Sequence, residues 1–270
     1  MAPNPNNGGS NDSYVKKLVF MFGLVYFAQG LAQASGLISQ PLSFYMKEVL
    51  HFDEAQSTSY LAVLTLPCII NPLYGLVSDF IPLFGYRRKS WLLLLNVISA
   101  GAFFWLTGLD EPSKIVFALL LTAFGTAASD VIVDALMVEN GQKFNMVGKF
   151  QSVQWFWFYA AQIATSLAGG WLASMSDPGT GLHIAAMITM FAPATVAVAS
   201  WLIVKEDKAK MNLEQLKATT SGLKQAFTSK TLWAAVLFLA FWNFSPSFGT
   251  PMYYHMTDTL KFSQTFIGQL

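Results

Sequence analysis

Apolar runs of bilayer-spanning length dominate this chain. They fall at roughly Leu18–Ser39, Ser57–Asp79, Ser90–Leu109, Ile115–Leu136, Phe150–Ser174, Leu182–Val204 and Leu232–Met256, and another opens near Gln264. About 20 apolar residues in a helix match the thickness of the hydrocarbon core. Inside that core the backbone must satisfy its own polar groups, which leaves helices or closed barrels. Runs this long and unalternating predict an all-α, multi-pass membrane protein. The composition agrees, with 54% hydrophobic residues and 11% charged, against roughly 25% charged in a soluble domain. The mean hydropathy is +0.44.

The distribution of charge sets a direction. Lys16, Lys17, Arg87, Arg88, Lys89, Lys143, Lys149, Lys205, Lys208, Lys210, Lys217, Lys224 and Lys230 fall on one side of the runs, and Lys47, Lys114 and Lys261 on the other, thirteen against three. The positive-inside rule then predicts a cytoplasmic N-terminus and a cytoplasmic 205–230 segment, in a plasma (inner) membrane. Trp91, Trp105, Trp171, Trp201 and Trp233 sit at run ends, where indole rings prefer the headgroup level.

Residues 1–14 are rich in Asn, Gly and Pro and read as a disordered tail. The tail lacks the basic residues of a signal peptide's first region until Lys16, so the first run reads as a retained membrane helix. Residues 15–204 read as a six-span bundle, 205–230 as a linker and 231–270 as the start of a second bundle. Within the linker, Leu213, Leu216, Leu223 and Phe227 have near-helical spacing, suited to short amphipathic helices on the membrane surface. Six spans, a basic linker and the start of another set suggest a duplicated architecture of which this chain holds the first copy, as a fragment.

Several chemistries have no footing in the sequence. A net charge of +1 gives no electrostatic footprint for nucleic acid. Cys68 stands alone, and His51, His183 and His255 are scattered, so no metal site or cofactor is expected. Phosphate-binding loops, zinc-protease helices and nucleophile elbows are all missing, so the chain does not read as an enzyme.

Polar groups inside the runs are the functional candidates, because an ionisable residue at membrane depth costs roughly 2.5–3.5 kcal/mol on insertion scales. The fourth run carries Asp130 and Asp134 in SDVIVDALMVEN. Four-residue spacing makes them helix neighbours that repel unless each finds a counter-charge or one holds a proton. Asp130, the deeper, suits proton coupling or a substrate amine or amidine; Asp134 is expected to reach the cytoplasmic edge.

The first run places Tyr26, Gln29, Gln33, Gly36 and Gln40 within an arc of about 80° at helical period. The fifth places Gln151, Gln154, Trp155, Phe158, Gln162, Thr165 and Gly169 within roughly 100°. Amides beside aromatic rings suit a planar heterocycle bound at its edge and stacked on its face. Helix–helix packing is the structural alternative. The seventh run, with Asn243, Pro246, Gly249 and Pro251 in WNFSPSFGTPMYYH, cannot continue a regular helix and reads as a broken, gating span.

Between the second and third runs lies GLVSDFIPLFGYRRKSW. Asp79 at a helix C-terminus faces the negative end of the dipole, and Arg87, Arg88 and Lys89 are the nearest groups to offset it. Asp79, Arg87, Arg88 and Asp134 are expected to form a charge network at the cytoplasmic edge, one half of a gate.

That loop resembles the major facilitator signature, with Gly75, Asp79, Gly85, Arg87 and Arg88 in its roles and a longer segment between Asp79 and Gly85. FIPLFGYRR, SDVIVDALMVE, GKFQSVQW and NFSPSFGTP together are similar to the folate–biopterin transporter family of that superfamily. The resemblance implies two six-helix bundles rocking about a central site, a folate- or pterin-type substrate and proton-linked transport. It also implies Asp79, Arg87 and Arg88 as the gate and Asp130 with Asp134 as the membrane acids. Folate carries carboxylates, yet these runs hold no Lys or Arg at membrane depth, so the acid and amides here suit the pterin ring. Transport of another small organic solute and a non-transporting receptor or scaffold are the competing readings.

Overall fold

A computed structural model describes residues 8–209, 227–242, 244 and 248–270. Among them the fold is all-α, with one isolated bridge between Leu83 and Tyr86. In chain order the helices are α1 (Gly8–Ala32), α2 (Ser39–Glu48), α3 (Glu54–Leu64), α4 (Leu66–Ile69), α5 (Asn71–Phe80), α6 (Lys89–Leu106) and α7 (Pro112–Phe144). Then come α8 (Val147–Ala173), α9 (Pro178–Thr189), α10 (Phe191–Ile203), α11 (Lys230–Trp242), α12 (Gly249–Tyr254), a π-helical turn (His255–Thr259) and α13 (Gln264–Ile267). Among the described residues, four stretches are long and apolar enough to cross a membrane: Asp12–Ala32, Lys89–Leu106, Pro112–Phe144 and Pro178–Ile203. The chain is an integral, multi-pass membrane protein.

Three sequence expectations are corrected. Helix α1 begins at Gly8, inside the stretch read as a disordered tail. The first span, read as one helix to Ser39, ends at Ala32 and resumes as α2, running through residues expected to be a connecting loop. The second span is also interrupted. Pro67 and Pro72 lack a backbone N–H and clash with the preceding turn, so each is accepted only in the first turn of a new helix. The span is accordingly divided into α3, α4 and α5.

Helices α6 and α7 pack along each other, α1 lies along α8, and α10 bridges α6 and α1. Lipid tails are as apolar as leucine, so close backbone approach and interhelical hydrogen bonds do much of the joining. At the α1–α8 seam a side chain on Gly30 would meet the Ala161 methyl at 2.6 Å and the Phe158 carbonyl oxygen at 3.1 Å. Only a bare backbone allows that approach. At the α6–α7 seam Asn96 Nδ2 donates to Ser129 Oγ at 2.9 Å. Phe22, Tyr26, Phe103 and Phe150 fill the bundle centre, with Phe22 and Phe150 edge to face at 5.1 Å. Phe20, Phe104 and Leu202 point outward, as lipid-facing positions allow.

Candidate functional site

Two groups of polar side chains stand out, one at the basic edge and one within the spans. At the basic edge α5 delivers Asp79, and the chain turns back through Phe84 and Gly85, both at positive φ (51° and 83°), before α6 begins. This turn folds the arginines onto the acid. Asp79 Oδ1 accepts from Arg87 Nη2 at 3.2 Å and from Arg88 Nη2 at 3.0 Å. Arg87 Nε also donates to the Asp79 carbonyl at 3.0 Å, answering a free carbonyl at the helix end. Arg88 is buried and pairs in addition with Glu139 of α7 at 2.8 Å. The expected partnership of Asp79, Arg87 and Arg88 is present.

Asp134 does not join them. Its Oδ1 accepts from the Tyr26 hydroxyl at 2.6 Å and from Gln154 Nε2 at 3.1 Å, linking α7 to α1 and α8. Glu139 takes the arginine instead. The helix explains the exchange: five residues at 1.5 Å each put Asp134 about 7.5 Å deeper than Glu139 along the α7 axis. Tyr26 and Glu139 were therefore missed as partners, although counting turns on α7 would have separated Glu139 from Asp134.

Asp130 lies one turn further in and is half-buried, within electrostatic reach of Asp134, Tyr26 and Cys68. No described residue hydrogen-bonds its carboxylate, in contrast to Asp134. On α8, exposed Trp155 stacks on Tyr159, with centroids 5.7 Å apart and an angle of 25°, and meets Phe158 edge-on at 6.1 Å.

The amides of the two stripes go to different places. Gln162 Nε2 donates to the Gly30 carbonyl at 3.2 Å and so ties α8 to α1. Gln29 is 5% exposed, has no partner at either amide atom, and lines a narrow void with Asn96, Thr126 and Ser129 inside the bundle. Gln33 sits in the break after α1, beside Leu64, Phe103 and Leu119. The break after Ala32 ends the helical periodicity that would line Gln33 and Gln40 up with Tyr26 and Gln29. Gln154 is the amide that reaches the acids.

In the seventh span, Asn243 and Pro246 lie outside the described residues. Gly249 and Pro251 open α12, where proline costs no hydrogen bond. The following residues dock on α2, α3 and the loop between them, at the edge opposite the arginines. Tyr254 donates its hydroxyl to the Phe52 carbonyl at 2.6 Å; with that proton committed, Ser57 Oγ donates to the Tyr254 oxygen at 2.8 Å. Lys47 pairs with Asp258 and donates to Thr257 Oγ1 at 2.6 Å. Gln40 Nε2 donates to the Gln264 carbonyl at 2.7 Å.

The sequence profile of the BT1 family matches residues 29–270. The chain belongs to the BT1 family. It is 32% identical over 249 residues to the folate-biopterin transporter of Synechocystis sp., covering 91% of this chain and 49% of that one. Folate transporter 1 of Plasmodium falciparum is 24% identical over 241 residues, covering 87% of this chain and 46% of its own. This BT1-family chain thus spans about half the length of the curated relatives it matches. Those relatives are transporters rather than enzymes. Among solved structures the nucleoside transporter NupG superposes with a TM-score of 0.66 over 93% of this chain and 62% of that one, at 19% identity. That likeness establishes a major-facilitator-type fold.

Proposed function

We propose that this chain forms the first bundle of a transporter for folate- or biopterin-type pteridines, working by alternating access and coupled to protons. The family match across residues 29–270, with relatives named as folate-biopterin transporters, carries the reading. The arrangement around Asp130 supports it. A carboxylate without a hydrogen-bond partner among the described residues, beside the Asp134–Tyr26–Gln154 group, offers an acceptor edge, and the exposed Trp155–Tyr159 stack on α8, next along the chain from Gln154, offers a stacking face. An amino-pyrimidinone ring presents donors to the first and a planar surface to the second. Asp130 is also the acid free to exchange a proton, while Asp134 acts as its fixed neighbour. The basic edge, with Asp79, Arg87, Arg88 and Glu139, is assigned to the cytoplasm as the gate.

The test is uptake of labelled folate and biopterin by the full-length protein. Asp130→Asn is expected to lower uptake at least tenfold and to flatten its dependence on external pH. Normal uptake with an unchanged pH profile would remove Asp130 from coupling. Uptake of neither compound by the parent protein, with flux of another solute, would overturn the pteridine assignment.

A further inference from the structure

Helix α6 starts at Lys89 without a side-chain cap from its own N-cap residue, Arg88, and without an acid in its first turn. The first backbone N–H groups of a helix have no partner in the helix itself and carry the positive end of its dipole. Arg87, Arg88 and Lys89 add positive charge at the same point. The structure answers this from a segment more than a hundred residues away in sequence. Glu206, three residues beyond the end of α10, lays its carboxylate across the turn. Oε1 accepts from the Arg87 and Arg88 amides, both at 3.1 Å, and Oε2 from the Arg88 and Lys89 amides at 3.1 and 3.0 Å. The neighbouring residues follow. The Ala209 amide donates to the Gly85 carbonyl at 2.9 Å, and Lys89 Nζ lies 4.6 Å from the centre of the Trp201 ring on α10.

We propose that Glu206 is the positioning residue of the arginine gate, holding the Arg87–Lys89 backbone in place while Asp79 and Glu139 hold the guanidinium groups. The two sets of bonds act on opposite sides of the same turn. Charge-assisted bonds from a carboxylate to backbone amides are about twice as strong as neutral ones. The tie joins the end of the sixth span and the first residues of the linker to the loop between the second and third. Withdrawing Glu206 frees three amides together and removes the constraint that aims Arg88 at Asp79. The tie stands on geometry alone; its part in gating rests on the transporter reading.

Hydrogen–deuterium exchange on the full-length protein separates these. Glu206→Ala is expected to speed exchange in the peptide covering residues 84–91 at least tenfold. Glu206→Gln, which keeps the shape and one acceptor oxygen, is expected to speed it less, and it carries the test if the alanine variant does not fold. Asp207→Ala removes the same charge one residue away and is expected to change nothing there. In uptake assays Glu206→Ala is expected to lower the maximal rate several-fold at unchanged KM. Unchanged exchange in the Glu206 variants overturns the tie. Faster exchange with unchanged uptake overturns the gating role. Faster exchange in a parent protein that moves no pteridine leaves the tie standing and removes the transport assignment.

Discussion

Arg88 and Arg87 are adjacent in sequence and share one acceptor, yet burial makes them unequal. The Arg88 side chain is 6% exposed and bridges Asp79 and Glu139, while that of Arg87 is 40% exposed and meets Asp79 alone. Removing Arg88 leaves Glu139 without the cation that joins it to Asp79, which keeps Arg87 alone. Hydrogen bonds to charged groups contribute about 1.5–3 kcal/mol, and partial exposure of Asp79 and Glu139 moves the expected cost toward the lower end. Arg87→Ala is expected to cost under about 1 kcal/mol, as for an exposed pair. Thermal unfolding in detergent at low salt should show the larger drop for Arg88→Ala, and equal shifts would sink the bridging role. At this scale the sequence was informative where partners are local. Asp79 and the arginines lie eight and nine residues apart, and a turn at Gly85 suffices to join them. Tyr26 on Asp134 and Glu206 on the arginine amides cross more than a hundred positions, which neither spacing nor charge count reveals.

At the scale of elements, the long helices α6, α7 and α8 were legible because nothing interrupts their apolar runs. The misread ones are those in which a break changes the phase: α1 from α2, and the prolines that divide α3, α4 and α5. A hydropathy run records burial in lipid, and it stays high through a kink. Helix α9 illustrates a start that local chemistry does fix. Asp177 accepts from the Gly179 and Thr180 amides at 3.3 and 2.9 Å and from the Thr180 hydroxyl, and Pro178 occupies the first helical position. The Thr180 hydroxyl first, and then its amide, hold the Asp177 carboxyl below the usual carboxylate range, with His183 adding a smaller pull. A depressed folded value means the cap stabilises fully above the unfolded carboxylate pKa, roughly 3.9. That contribution is lost as pH falls through the lower folded value. Asp177→Asn keeps an acceptor without the proton equilibrium. Thermal midpoints followed from neutral to acid pH should fall less for Asp177→Asn than for the parent, whereas Asp177→Ala should already be less stable at neutral pH. Parallel curves for parent and Asp177→Asn would mean another group governs the acid limb.

At the scale of the molecule, residues 254–268 touch the preceding helices at the edge away from the arginines, so the two ends of the helical bundle hold different kinds of contact. The arginine edge is an ionic network joining the α5–α6 loop to α7. The opposite edge is a seam between the earlier helices and the C-terminal residues, built from Lys47, Ser57 and Gln40 against residues 254–264, and closed by a glycine pair. Gly170 on α8 and Gly268 after α13 approach so closely that a side chain on Gly170 would lie 2.9 Å from both the Gln264 carbonyl oxygen and the Gly268 Cα. Ser166 Oγ donates to the Gly268 carbonyl at 2.8 Å beside them. Backbone on both sides leaves no flexible group to yield, so Gly170→Val is expected to part the seam while leaving the first bundle folded. A cysteine pair at Lys47 and Thr257, placed in a full-length Cys68→Ser background, reads the separation directly. Its cross-linking yield with a short bifunctional reagent should drop several-fold when Gly170→Val is added, and an undiminished yield would show that the glycines do not set the approach. The same pair tests alternating access, because a seam that must open once per cycle cannot turn over when bridged. Cross-linking should then stop uptake, and cleaving the bridge should restore it. Continued uptake by the fully bridged protein would mean that the seam is a fixed joint, and the moving contact would have to be sought at the arginine edge instead.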